Sequence, residues 1–178
     1  MPGTHKLSLW FLMLFLAFEG CTRGCSGPQN TVLNADRSFK FPPGFPPDPG
    51  AAGKKTLEGT DLDHDGLRND VQRWIYARYP NDEKKRKALR LMALDLQRDS
   101  TQNYRYEEWE KILHSSNKAL RCVTDTFPDY IESNVELNYL QAKVMNTPAR
   151  ISQANRNDNI FDGKFLGPGY PRDGTACD

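Results

Sequence analysis

From Leu67 onward, apolar residues recur every three or four positions, the spacing of a helix face turned to a core. Val71, Trp74 and Ile75 form the first stripe, and Tyr79-Pro80 ends it because proline disfavours a helical residue before it. Asn81 is placed to cap a second helix, with Asp82 and Glu83 beside the positive end of its dipole. Its stripe is Leu89, Met92, Ala93 and Leu96. A third helix is predicted from about 101 to 123, with Trp109, Ile112, Leu113 and Leu120 on one side. Pro128 opens a fourth, whose apolar positions are Ile131, Val135, Leu137, Leu140 and Val144. Thr147-Pro148, a capping residue followed by proline at the first helical position, starts a short fifth that ends near Gly163. Nothing alternates as a strand does, and turn signals separate the stripes. The fold class is therefore all-α: a small bundle of four to five helices in one domain, 57–178. Trp74, Tyr104, Tyr106, Trp109 and Tyr130 are expected in its core rather than around a ligand.

The N-terminus follows another pattern. Leu7 to Phe18 is apolar except for Ser8, and Lys6 precedes it. Twelve residues are too few to cross a bilayer as a helix, which takes about 20. They match the apolar region of a secretory signal, so 1–20 reads as a signal peptide. Gly20-Cys21 resembles the lipobox of bacterial lipoproteins, in which the cysteine becomes the lipid-bearing N-terminus. Phe18 and Glu19 depart from that pattern, and Thr22 with Gly24 would allow an ordinary cut before Cys25. Lipidation of Cys21 is the expectation. The membrane is then a partner through that anchor.

Residues 21–56 are expected to form a flexible, disordered tether. Five prolines in the ten positions 41–50 exclude a helix and disfavour a sheet interior. Such a stretch serves most simply as a spacer. The alternatives are that Phe41 and Phe45 dock on the domain, or that the stretch is a proline-rich ligand for a groove.

The formal net charge is +1, and it stays +1 after the leader takes away Lys6 and Glu19. That argues against nucleic acid as a partner, since binding there rests on neutralising phosphates. Lys84-Lys85-Arg86-Lys87 follows Asp82-Glu83 and reads as a solvated helix face. Of four cysteines, Cys122 and Cys177 lie in the helical part. In an oxidising compartment they are expected to pair and hold down a Gly- and Pro-rich tail, with two unpaired thiols as the alternative. A lipid on Cys21 would then leave Cys25 odd. With three histidines (His5, His64 and His114) and no zinc-type cysteine spacing, a zinc site is not expected.

The sharpest motif is Asp61-Leu62-Asp63-His64-Asp65-Gly66. Carboxylates on alternate residues turn toward one centre when the backbone wraps an ion, and Gly66 permits the tight turn. Counting from Asp61, position seven offers the Leu67 carbonyl and position nine Asn69. Position twelve, where a bidentate Glu would sit, holds Gln72; Asp70 is an available substitute, and Asn69, Asp70 or Gln72 is expected to close the shell. These residues resemble EF-hand-like calcium loops, notably those of dockerins and thrombospondin type 3 repeats. The resemblance covers about a dozen residues and implies Ca²⁺ as the bound ion. Pro49-Gly50 and Gly53 leave no room for a full entering helix. The bland alternative is an acidic cap for the following helix, binding nothing.

Leader, tether, loop and small helical domain together resemble uncharacterised proteobacterial envelope lipoproteins. The expected function is thus a non-enzymatic, exported, calcium-binding lipoprotein. Its metal would be structural and its helical domain would serve an unidentified envelope partner, at the periplasmic side or cell surface. The alternative is an envelope glycan hydrolase using paired carboxylates from Glu107, Glu108, Glu110 and Asp129.

Overall fold

The computed structural model describes residues 39–161 and 175–178, and of Phe161 its backbone alone. The leader (1–20), Cys21, Cys25 and residues 21–38 of the expected tether lie outside the described residues, as do 162–174. Five helices follow one another: α1 (Asn69–Arg78), α2 (Glu83–Thr101), α3 (Trp109–Thr126), α4 (Tyr130–Val144) and α5 (Pro148–Asp158). Short 3₁₀ turns cover Ala52–Lys54, Tyr106–Glu108 and Asn159–Phe161. No strand occurs among the described residues, and none of the helices there is long and apolar enough to cross a membrane.

The all-α expectation holds, with α2 at the centre touching each of the other four helices. Val71, Trp74, Leu89, Ala93, Val123, Phe127, Leu140 and Val144 are sealed in one cluster. Shortening Leu89 to Ala there would cost about 2–5 kcal/mol, because a close-packed interior collapses only partly around a lost side chain.

Four local expectations are corrected. The cap of α2 is Asp82, whose Oδ1 accepts the Lys85 amide at 3.0 Å, while Asn81 is exposed. A carboxylate satisfies that amide and also faces the positive helix end. The third helix does not start at 101. The Ser100 and Thr101 hydroxyls bond back to the Gln97 carbonyl. Gln153 and Asn157 of α5 take the Gln102 carbonyl at 2.7 and 2.8 Å. The chain is thereby drawn out of the helix at Gln102 and re-enters at Trp109.

The inward face of α4 is also rotated from the predicted one. Ser133, Glu136, Leu140 and Val144 face in, whereas Ile131 and Val135 are exposed. Arg78 of α1 pairs with Glu136 (Nη2 to Oε1, 2.5 Å), turning a charged edge toward α1. Tyr106 and Tyr130, expected in the core, are exposed.

Within the tether, residues 39–56 lie against the domain, as in the docking alternative. Phe39, Phe41 and Phe45 gather round Tyr76 of α1, with Phe45 at 4.9 Å between ring centroids. Arg73 stacks on Phe41 at 3.8 Å and donates to the Pro46 carbonyl at 2.8 Å. At the other end Cys122 and Cys177 are bonded, with Cα atoms 4.9 Å apart. Ala176 is buried and Lys118 donates to the Asp178 carbonyl at 2.8 Å.

Candidate metal centre

Asp61, Asp63 and Asp65 are brought together as the spacing predicts. One oxygen from each lies within 4.8 Å of the others. Oxygens sharing a Ca²⁺ at 2.3–2.6 Å stand no more than about 5 Å apart, so the cluster has the right dimension. The turn is made by backbone that few residues adopt: Gly66 has φ +87° and His64 φ +54°. Asp61 closes it from inside, accepting the Asp65 amide at 3.3 Å and the Gly66 amide at 3.0 Å. Asp65 accepts the Leu67 amide at 2.9 Å. The Leu67 side chain is fully buried and anchors the exit of the loop in the core.

The helix-cap alternative fits less well. The residue at the cap of α1 is Arg68, whose side chain makes no capping bond to the helix amides. The acids serve amides of the loop itself.

Asn69 and Gln72 act on the carboxylates through their amide nitrogens. Asn69 donates to Asp63 at 3.1 Å, while its oxygen accepts the Leu62 amide at 2.9 Å. That oxygen is engaged, so Asn69 braces the loop rather than facing its centre. Gln72 Nε2 donates to Asp63 at 2.9 Å and to Asp65 at 2.7 Å. Its Oε1 is enclosed and has no hydrogen-bond partner. An unmatched buried oxygen costs about 1–3 kcal/mol. Burial opposes charge on Asp63, but its hydrogen bonds, that from Gln72 foremost, outweigh it and hold the carboxyl below its ordinary value.

Asp70 points elsewhere. Arg68 Nε and Nη2 hold its two oxygens, each at 2.9 Å, and Asn146 donates to it at 3.1 Å. Burial would raise its carboxyl, yet the Arg68 bonds and charge prevail and lower it. Asp70 is thus engaged as a strut between α1 and the α4–α5 corner.

Several residues with no signal in the sequence frame the loop. Arg90 of α2 donates to Asp65 Oδ2 at 2.7 Å and to the Asp65 carbonyl at 2.6 Å. Gln97 takes the Arg68 amide at 3.0 Å and gives to the Gly66 carbonyl at 2.9 Å. Fully buried Arg150 of α5 holds the carbonyls of Gly53, Thr56 and Leu57 at 2.7, 2.9 and 2.8 Å. Burial and nearby Arg68 pull its guanidinium down to about 10, so it is still charged at neutral pH. Gly59, at φ +72°, lets the chain pass: a Cβ there would stand 2.8 Å from Arg150 Nη2 and 2.9 Å from the Gly53 carbonyl.

Of the carboxylates considered for acid–base pairing, Asp129 stands apart from the three glutamates. Glu108 bonds the Arg105 amide, Glu107 and Glu110 are exposed, and Asp129 caps α4 by accepting the Glu132 amide at 2.8 Å. Asp129 lies beyond one end of α3 and the three glutamates at the other. Eighteen residues at 1.5 Å each separate them by roughly 27 Å, against 5–10 Å for a glycosidase pair. No protein-family model, curated protein or solved structure matches this chain.

Proposed function

We propose that the loop from Asp61 to Gln72 binds Ca²⁺ and that the ion is structural, fixing where the N-terminal segment joins the helical domain. The observation that carries this reading is the Gln72 side chain above the three converging carboxylates. Its donor end bears on Asp63 and Asp65 while its acceptor end has no partner. The two ends of an amide are nearly isosteric, so rotation by half a turn exchanges them. Turned that way, Oε1 would join the Asp61, Asp63 and Asp65 oxygens as the twelfth-position ligand, with the Leu67 carbonyl and water making up the six to eight oxygens that Ca²⁺ takes. All-oxygen ligands on a flexible loop favour Ca²⁺ over Zn²⁺ and over the stricter octahedron of Mg²⁺.

The protein carrying this site is, in our reading, a non-enzymatic exported lipoprotein, lipidated at Cys21 and held at a bacterial envelope membrane. Its support is the apolar leader with Gly20-Cys21. A disulfide in a helical domain agrees with export, because such bonds persist in oxidising compartments. The exposed α4 side chains Tyr130, Ile131 and Val135 support a role in meeting an envelope protein.

Calorimetric titration of the purified protein tests the metal. Ca²⁺ should bind at about 10⁻⁵–10⁻³ M, the weak range expected without a bidentate Glu. Mg²⁺ should bind less tightly, and Asp63→Ala should abolish the heat. Absence of any heat with millimolar Ca²⁺ would remove the metal reading. An intact mass without an acyl group on Cys21 would remove the anchor while leaving the metal reading standing.

A further inference from the structure

The rotation of α4 leaves that helix with polar groups turned inward and apolar ones turned out. Ser133, Glu136, Leu140 and Val144 face the core. On the opposite side Ile131, Val135, Asn138 and Ala142 are exposed, Ile131 at 72 %. At about 100° per residue these four fall within an arc of about 60°. Their spacing of four, three and four residues is that of a coiled-coil seam, the narrow stripe by which one helix meets another. The helix carries three charged side chains, Glu132, Glu136 and Lys143, and none lies on the seam. Glu136 is turned in to Arg78. Glu132 and Lys143 share one flank, about 100° and 120° round the helix from Ile131. Tyr130, Asn134 and Gln141 make the other flank, which is uncharged. Scattered surface hydrophobics are ordinary, whereas a charge-free stripe along a whole helix has the form of a packing surface.

We propose that the α4 seam pairs with the α4 seam of a second copy of this chain, antiparallel about a two-fold axis between Val135 and Asn138. This names the partner for the face proposed to meet an envelope protein, and rests on that reading; it is independent of the metal. Charge decides both the partner and the direction. Antiparallel two-fold pairing sets like flanks together with their ends exchanged, so Glu132 comes beside the partner's Lys143, about 3 Å away along the axis. Glu132 keeps Lys85 at 2.7 Å and still has 42 % of its side chain exposed for the second cation. A parallel pair would set that flank against Asn134 and Gln141 and leave both charges unmatched. Size agrees with the same register. Ile131 falls opposite the partner's Ala142, large against small. Asn138 meets the partner's Asn138 near the axis, where one polar pair fixes the register of a seam. The helix has 15 residues. A seam of that length, about 22 Å, makes a small interface, so the dissociation constant is on the order of 10⁻⁵–10⁻⁴ M.

Sedimentation equilibrium of the purified full chain tests the pairing, from about 10⁻⁶ to 10⁻³ M in density-matched detergent at fixed Ca²⁺. Monomer should give way to dimer across that range. Ile131→Lys with Val135→Lys, both at exposed positions, should weaken association by at least about tenfold. Oxidative cross-linking, read by mass spectrometry of the linked peptides, tests direction. Asn138→Cys copies should link to one another. Ile131→Cys copies, held about 16 Å apart along the axis, should link only when mixed with Ala142→Cys copies. A monomer at every concentration, as when residues 162–174 or an unlike envelope protein cover the seam, would overturn the self-pairing and leave the metal and the envelope-partner readings standing. A dimer indifferent to the two lysines, or Ile131→Cys copies that link to one another, would overturn the seam or its direction.

Discussion

Arg90 grips Asp65 twice, through the side-chain Oδ2 at 2.7 Å and the main-chain carbonyl at 2.6 Å. A residue 25 positions away thus supplies a fixed positive charge to the acidic loop. In the calcium reading it competes with the ion for Asp65 and also steadies the loop without it. Arg90→Met should therefore tighten Ca²⁺ binding by about fivefold, the equivalent of roughly 1 kcal/mol for a partly exposed pair. Its melting temperature in a chelator should drop by a few degrees. Calorimetry and a melt with and without Ca²⁺ check both signs, and weakened binding would show that Arg90 assists the ion.

Gln72→Glu should strengthen Ca²⁺ binding by about tenfold, because affinity in such loops follows the number of charged ligands. In a chelator the same variant should melt earlier than wild type. A fourth carboxylate would then replace the donor that bonds Asp63 and Asp65. Calcium and chelator melts should thus shift in opposite directions. Identical shifts would place residue 72 outside the shell.

Asp70→Ala separates the strut from the ligands. It leaves the fully buried Arg68 guanidinium with only the Val144 and Lys143 carbonyls and no counter-charge, and losing one partner of a buried pair costs about 3–5 kcal/mol. Ca²⁺ affinity of the folded variant should stay within about twofold of wild type, since Asp70 faces Arg68 and Asn146. Its pH signature follows from the lowered carboxyl. Stability from Asp70 is complete above the ordinary aspartate value of about 4 and is lost as pH falls through the lower folded value. Wild type and variant should therefore converge in acid denaturation, which urea titrations at several pH values can read.

The Cys122–Cys177 bond closes a loop over 55 positions of sequence. Removing both thiols with Cys122→Ala and Cys177→Ala should cost on the order of 4 kcal/mol by loop-closure entropy. The loss should appear as greater protease access after Asp158, with Ca²⁺ binding retained. Non-reducing mass spectrometry of the wild type should find both sulfurs bonded.

The elements most legible in the sequence are those that depend on near neighbours. The first two stripes, Val71–Trp74–Ile75 and Leu89–Met92–Ala93–Leu96, are buried as the helical period requires. The turn from Asp61 to Gly66 likewise arises from six consecutive residues and one glycine at positive φ. The Thr147 cap before Pro148 was equally local. Tertiary structure decided the rest. Helical residues advance about 100° each, so Asp70 and Gln72 face different surroundings, and only packing against Arg68 and Asn146 assigns Asp70 to the outside of the loop. Arg78 rotates α4 by pairing with Glu136 58 positions away, so Ile131 and Val135 lose the core they were expected to line. Gln153 and Asn157 draw the chain out of helix at Gln102 from more than fifty positions away. Propensity along the chain carries helix spacing and turn chemistry, whereas the partner of a buried charge or carbonyl is set by the groups that folding brings beside it.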